Sequence, residues 1–128
     1  MGNGTSIGRV RGLGPAHHGA HHWLVQRFTA IGNLVGVLFL LVSLLLLPNY
    51  EYVTMSEWAG SPIPALALGL LVVSTFWHAR LGLQVLMEDY VVSPANRFVL
   101  LALLNIAAFG GAAFGLFCIV RLALGGTA

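Results

Sequence analysis

Three long apolar stretches divide this chain, and most of its polar residues fall between them. The first, residues 27–47, carries no charge from Phe28 to Leu47 and stops at Pro48. Roughly 20 apolar residues at about 1.5 Å rise each cross a hydrocarbon layer ~30 Å thick, so this run spans one without tilt. The second, residues 64–90, opens as PALALGLLVV and closes on Glu88, Asp89 and Tyr90. The third, residues 97–121, is uncharged between its terminal arginines, with Asn105 as its one strongly polar side chain. This pattern predicts an all-α integral membrane protein with three transmembrane helices. Residues 1–26 form an arm ahead of them, and the whole is a single domain.

The connections are read the same way. Pro48 to Pro62 reads as a loop, because it holds two prolines, Asn49, Tyr50, Tyr52, Trp58 and the acids Glu51 and Glu57. VVSPANR, residues 91–97, is a short turn in which Ser93-Pro94 stops one helix before Arg97 leads the next. Gly32 and Gly36, four apart, give the first span a face that another helix can approach closely. Gly110, Gly111 and Gly115 gather towards the end of the third.

Charge sets the orientation. Arg9, Arg11 and Arg27 precede the first span and Arg97 lies in the second connection, whereas the first connection carries only acids. Arginine marks the cytoplasmic side, so the chain runs N-in and C-out, with Arg121 alone opposing. Asp89 and Tyr90 then lie at the cytoplasmic surface.

Composition narrows the class further. The chain is 58% hydrophobic and 8% charged, against about 25% charged in a soluble domain, so it cannot clothe a globular surface. Six arginines, no lysine and four acids leave a net charge of +2, too weak a field to recommend nucleic acid as a partner. Cys118 is the only cysteine and reads as a packing residue, since neither a disulfide nor a thiolate metal site can be built from one. The arm is no cleavable signal, because it lacks an apolar central stretch before Trp23. Its pairs His17/His21 and His18/His22 have the i,i+4 spacing that can grip zinc on a helix. No cysteine or carboxylate stands near to complete such a site, and Gly19 weakens a helix there. The arm reads instead as an interfacial docking segment anchored by Trp23, and no metal is assigned to it.

Chemistry concentrates in the second span, where His78 and Arg80 lie well inside the apolar run. An ionisable side chain at membrane depth is costly and points to function. Offsets of four, seven and eleven bring Gly82, Val85 and Asp89 onto the face of His78, and Ser74 shares it from the turn before. A histidine between two small residues has room beside it for something flat and large. Three uses stay open: a haem ligand whose second axial partner comes from another subunit, a proton relay, or a neutral histidine bonded to a neighbouring helix. Arg80 lies nearly opposite, facing a partner's carboxylate or a wet crevice. Asp89 and Tyr90 suit either an interfacial cap or a quinone headgroup, to which a phenol can donate while a carboxylate organises protons. Twelve residues, about 18 Å of helix, separate His78 from Tyr90. Arg27, at the start of the first span, either snorkels to phosphates or clamps a carboxylate or propionate.

HARLGLQVLMEDYV, residues 78–91, resembles the second-helix signature of the small hydrophobic membrane-anchor subunit of succinate dehydrogenase, the D-type anchor of complex II. QRFTAI, residues 26–31, is similar to the start of that family's first helix, and HHGAHHW to the arm of its alphaproteobacterial members. The resemblance implies a multi-pass protein of the bacterial cytoplasmic membrane, packing in lipid with a companion C-type anchor into a helical bundle. Its other partners would be an iron–sulfur subunit and a flavoprotein subunit, and nucleic acid would have no part. It implies haem b, shared with the C-type anchor, with His78 as one axial ligand to the iron, Ser74 and Gly82 facing the macrocycle and Arg27 near the propionates. It implies ubiquinone reduced beside Tyr90, with Asp89 at the pocket. Succinate oxidation itself would lie on other subunits, since this chain has no cysteine set for clusters and no dinucleotide fingerprint. Arg80 departs from better-known members, which carry an aromatic residue there. Two other readings remain: a fumarate reductase anchor running the reverse reaction, and a small transport or structural subunit using His78 and Arg80.

Overall fold

The computed structural model describes residues 17–125, with side chains from Ala20 onward. The arm's first sixteen residues and the side chains of His17 and His18, hence both arm histidine pairs, lie outside the described residues. Among those described, every regular element is a helix: α1 His17–Leu45, α2 Tyr52–Gly60, α3 Pro62–Tyr90 and α4 Pro94–Ala123. Three of them, of 29, 29 and 30 residues, are long and apolar enough to cross a membrane.

Helix α1 begins ahead of the apolar run, since a helix need not stop where hydrocarbon does. It ends at Leu45 rather than Leu47 because Pro48 disfavours helical backbone in the residue before it. The last turn tightens, with Leu47 N donating to Leu44 O at 3.3 Å, and the Tyr50 hydroxyl donates to that same carbonyl at 3.1 Å. A carbonyl at a helix end has no partner within the helix, so a side chain supplies one.

The connection expected as a loop contains a nine-residue helix, α2. From Tyr52 to Ala59 it has neither glycine nor proline, and Ser61 closes it, with Oγ donating to Trp58 O at 2.6 Å. The helix lies against the ends of α3 and α4, where Gly60 sits so close to the Leu122 carbonyl that a Cβ would stand 2.9 Å from it. Ser61 and Pro62 then start α3, and Ser93 and Pro94 start α4, because proline at the first helical position forfeits an N–H that has no partner anyway. Arg97 turns back and donates from Nε and Nη2 to Val91 O at 3.1 and 2.9 Å. The α3–α4 turn is thereby pinned by Arg97.

Helix α3 is the centre of the arrangement. It packs on α1 along one side and α4 along another, while α1 and α4 do not pack on each other among the described residues. Small residues set the approach distances. A Cβ on Gly32 would stand 2.9 Å from Ser74 Oγ, and one on Gly111 would overlap the Phe76 ring. Leu81 and Ala108, 5% and 9% exposed, are the buried residues among those described. Most of the other large apolar side chains are exposed, which fits surroundings of lipid and companion helices rather than water.

Candidate functional site

Helix α1 crosses α3 on a polar strip embedded in apolar surroundings. Thr29 of α1 and His78 of α3, 49 residues apart, meet with Thr29 Oγ1 3.1 Å from His78 Nδ1. The Thr29 hydroxyl also lies 2.9 Å from Val25 O and 3.1 Å from Gln26 O. One turn along, Ser74 Oγ donates to Thr29 O at 2.9 Å. The Ser74 hydroxyl is therefore spent on α1's backbone, and its position opposite Gly32 is what allows the two helices to come so close.

The imidazole itself is half-buried. His78 Nε2 has no hydrogen-bond partner among the described residues. Gly82, one turn towards Tyr90, is exposed, and a Cβ there would meet only Gln26 Nε2 at 3.6 Å. Gln26 Oε1 is buried with no hydrogen-bond partner among the described residues. Beyond Ser74, a cavity of about 590 Å³ follows the α1–α3 groove past Gly32, Gly36, Leu70 and Leu71. The groove thus begins one turn from His78, whose ring has one nitrogen engaged and the other without a hydrogen bond among the described residues.

The other expected site residues are placed apart. Asp89 and Tyr90 end α3; Tyr90 is 79% exposed, and neither side chain has a partner in the chain among the described residues. Arg27 is exposed and lies over the Trp23 ring, 5.2 Å from its centroid. Two residues from Thr29, it projects from the opposite side of α1. Arg80, for which the sequence offered no partner inside the chain, has one. Its Nε donates to Asn105 Oδ1, and its guanidinium lies 5.8 and 5.7 Å from the centroids of Trp77 and Phe109. Among the described residues no three His, Cys, Asp or Glu side chains gather as a metal cage.

A profile described as succinate dehydrogenase/fumarate reductase transmembrane subunit matches residues 1–114. The chain belongs to that family. Similar proteins named succinate dehydrogenase hydrophobic membrane anchor subunit occur in several Rickettsia species. The Rickettsia bellii protein is 34% identical over 116 residues, covering 86% of this chain and 93% of that protein. The Rickettsia conorii protein is 31% identical over 119 residues, with 92% and 86% covered. The Rickettsia felis protein is 31% identical over 105 residues, with 82% and 79% covered. No solved structure matches the chain. A member of the succinate dehydrogenase/fumarate reductase transmembrane family with three spanning helices is a multi-pass membrane subunit of an oxidoreductase complex.

Thr29 and Gln26 are the site residues that sequence reasoning missed. Both lie in the QRFTAI segment, but neither is charged, and only the helix crossing brings Thr29 to His78 and Gln26 to Gly82.

Proposed function

We propose that the chain is the D-type membrane anchor of a succinate:ubiquinone oxidoreductase of the bacterial cytoplasmic membrane. It runs N-in and C-out beside a C-type anchor, and iron–sulfur and flavoprotein subunits dock on its cytoplasmic face. His78 contributes one axial ligand to a haem b, and Tyr90 with Asp89 forms this chain's share of the quinone site. The observation that carries the reading is the state of the His78 imidazole, with Nδ1 held by Thr29, no hydrogen bond to Nε2 among the described residues, and the exposed Gly82 one turn on. A metal-bound histidine has its second ring nitrogen hydrogen-bonded and its ligating nitrogen unobstructed.

When bound, haem supplies a one-electron store between the iron–sulfur subunit and the quinone. What this chain's residues do is hold and orient. Gly82 leaves the approach to His78 open, and the unpartnered Gln26 Oε1 can accept from a group seated beside it. Arg27 is the exposed cation at that end of α1, available to a propionate or headgroup coming from outside the chain. At Tyr90 the phenol can donate to a quinone carbonyl, whose oxygen gains negative charge as electrons arrive, and Asp89 can pass protons from the cytoplasmic side. The relatives' names favour succinate oxidation over the reverse direction. Arg80 is engaged by Asn105 and two rings rather than lining a wet path, which argues against ion passage.

The test is purification of the assembled complex. A Soret band with low-spin haem, together with succinate-dependent reduction of a ubiquinone analogue, is expected. A complex that holds neither haem nor quinone reductase activity overturns the proposal.

A further inference from the structure

The Thr29–His78 contact fixes more than a helix crossing, because a hydroxyl has one hydrogen to give. Thr29 Oγ1 lies 2.9 Å from Val25 O and 3.1 Å from Gln26 O, both of which can only accept. If the hydroxyl gave its hydrogen to His78, two oxygen lone-pair contacts at those distances would face it with nothing between them. A threonine inside a helix instead donates back to the i−4 or i−3 carbonyl, and the fork between Val25 O and Gln26 O is that arrangement. The hydrogen is then used, and what Oγ1 turns towards His78 Nδ1 at 3.1 Å is a lone pair. The imidazole must supply the hydrogen.

We infer that Thr29 is a positioning residue that fixes His78 as its Nδ1–H tautomer and so presents Nε2 as the lone-pair nitrogen. Which nitrogen of a histidine can ligate is set by the bond the other one makes. Thr29 is suited to the task because its own position is fixed. Ser74 Oγ donates to its carbonyl at 2.9 Å, from the turn of α3 just before His78, and Gly32, one turn on in α1, allows that close approach. A hydroxyl is also a weaker acceptor than a carboxylate, so it orients the ring without drawing the Nδ1 proton away. The ligand role rests on the haem reading above; the tautomer rests on the hydrogen count alone.

The test uses the purified complex with haem bound and reads the haem's midpoint potential and its low-spin EPR signal. Thr29→Val keeps the shape and removes the acceptor. The potential is expected to shift upward, because a ligand that no longer donates its Nδ1–H pushes less electron density to iron, and the EPR signal to broaden as ring orientation is released. Thr29→Ser, which can make the same fork, should behave as the parent in both. Thr75→Val is the control for mere loosening of the crossing, since it removes the Thr75–Asn33 bond between the same two helices; it should move neither. A Thr29→Val complex with parental potential and EPR overturns the inference, as does a Thr29→Ser complex shifted away from the parent. If Thr29→Val does not assemble, Thr29→Ala is read by the same criteria. His78→Ala separates the two levels. Loss of low-spin haem there, with Thr29→Val silent, overturns the Thr29 role and leaves the haem reading standing. Low-spin haem retained in His78→Ala removes both.

Discussion

Arg80 of α3 reaches Asn105 of α4, donating from Nε to Oδ1, and the two residues form a polar bolt between helices that otherwise meet through apolar side chains. Asn105 is itself oriented by its Nδ2, which donates to Leu101 O at 2.8 Å. The Trp77 and Phe109 rings, edge to face with centroids 6.0 Å apart, flank the guanidinium. A cation within about 6 Å of an aromatic face is stabilised by the ring quadrupole, more so away from water. Arg80 thus shares its charge among an amide and two rings rather than with a carboxylate.

Asn105→Leu should therefore damage the complex more than loss of both partners does. The single change strands the Arg80 Nε–H in low-dielectric surroundings, a cost of about 1–3 kcal/mol. Arg80→Leu combined with Asn105→Leu strands nothing. Thermal inactivation of the assembled complex is the measurement, and the double variant should be the more stable of the two. The reverse order would mean that Arg80 has a stronger partner outside this chain.

His78→Ala should remove haem from the purified complex or convert it to a high-spin form, visible in the optical spectrum. Succinate oxidation with a soluble dye should persist, because that chemistry does not pass through this residue. An unchanged low-spin spectrum would exclude His78 as a ligand.

Tyr90→Phe keeps the ring and removes the hydroxyl. Quinone reduction should fall by roughly one to three orders of magnitude, the range of one lost donor to an oxygen that becomes negative during reaction. Haem content and dye-linked succinate oxidation should stay at parental levels. Full quinone reductase activity in this variant would show that Tyr90 only anchors α3 at the membrane surface.

Gly111→Val puts atoms where the Phe76 ring lies, so α4 must move away from α3. Overpacking of this kind costs about 1–3 kcal/mol, and the yield of assembled complex should drop. Phe76→Ala, introduced with it, should restore part of that yield. A fully assembled single variant would place the α3–α4 contact farther apart than described.

The spans could be read from the sequence because hydrocarbon imposes a length and forbids unpaired charge, and both demands are written in consecutive residues. His78 was visible for the same reason, as an ionisable group where few are tolerated. Its partner was not, because Thr29 lies 49 residues away and a threonine costs a membrane helix little. Arg80 and Asn105 each stood out in its own span, yet pairing them required knowing how α3 crosses α4. Helix α2 escaped notice because prolines and acids at its borders resemble a loop, and nine residues give too short a run for a periodic pattern. Tyr90 stood out by its place at the end of α3, where it is exposed and its hydroxyl has no hydrogen bond among the described residues.

The central place of α3 has a consequence for how damage spreads. Because α1 and α4 each pack on α3 and not on one another among the described residues, the two crossings are separable. The Thr29–His78 contact uses no residue of α4, and the Arg80–Asn105 bolt uses none of α1. A lesion at one crossing therefore leaves the other with both of its partners.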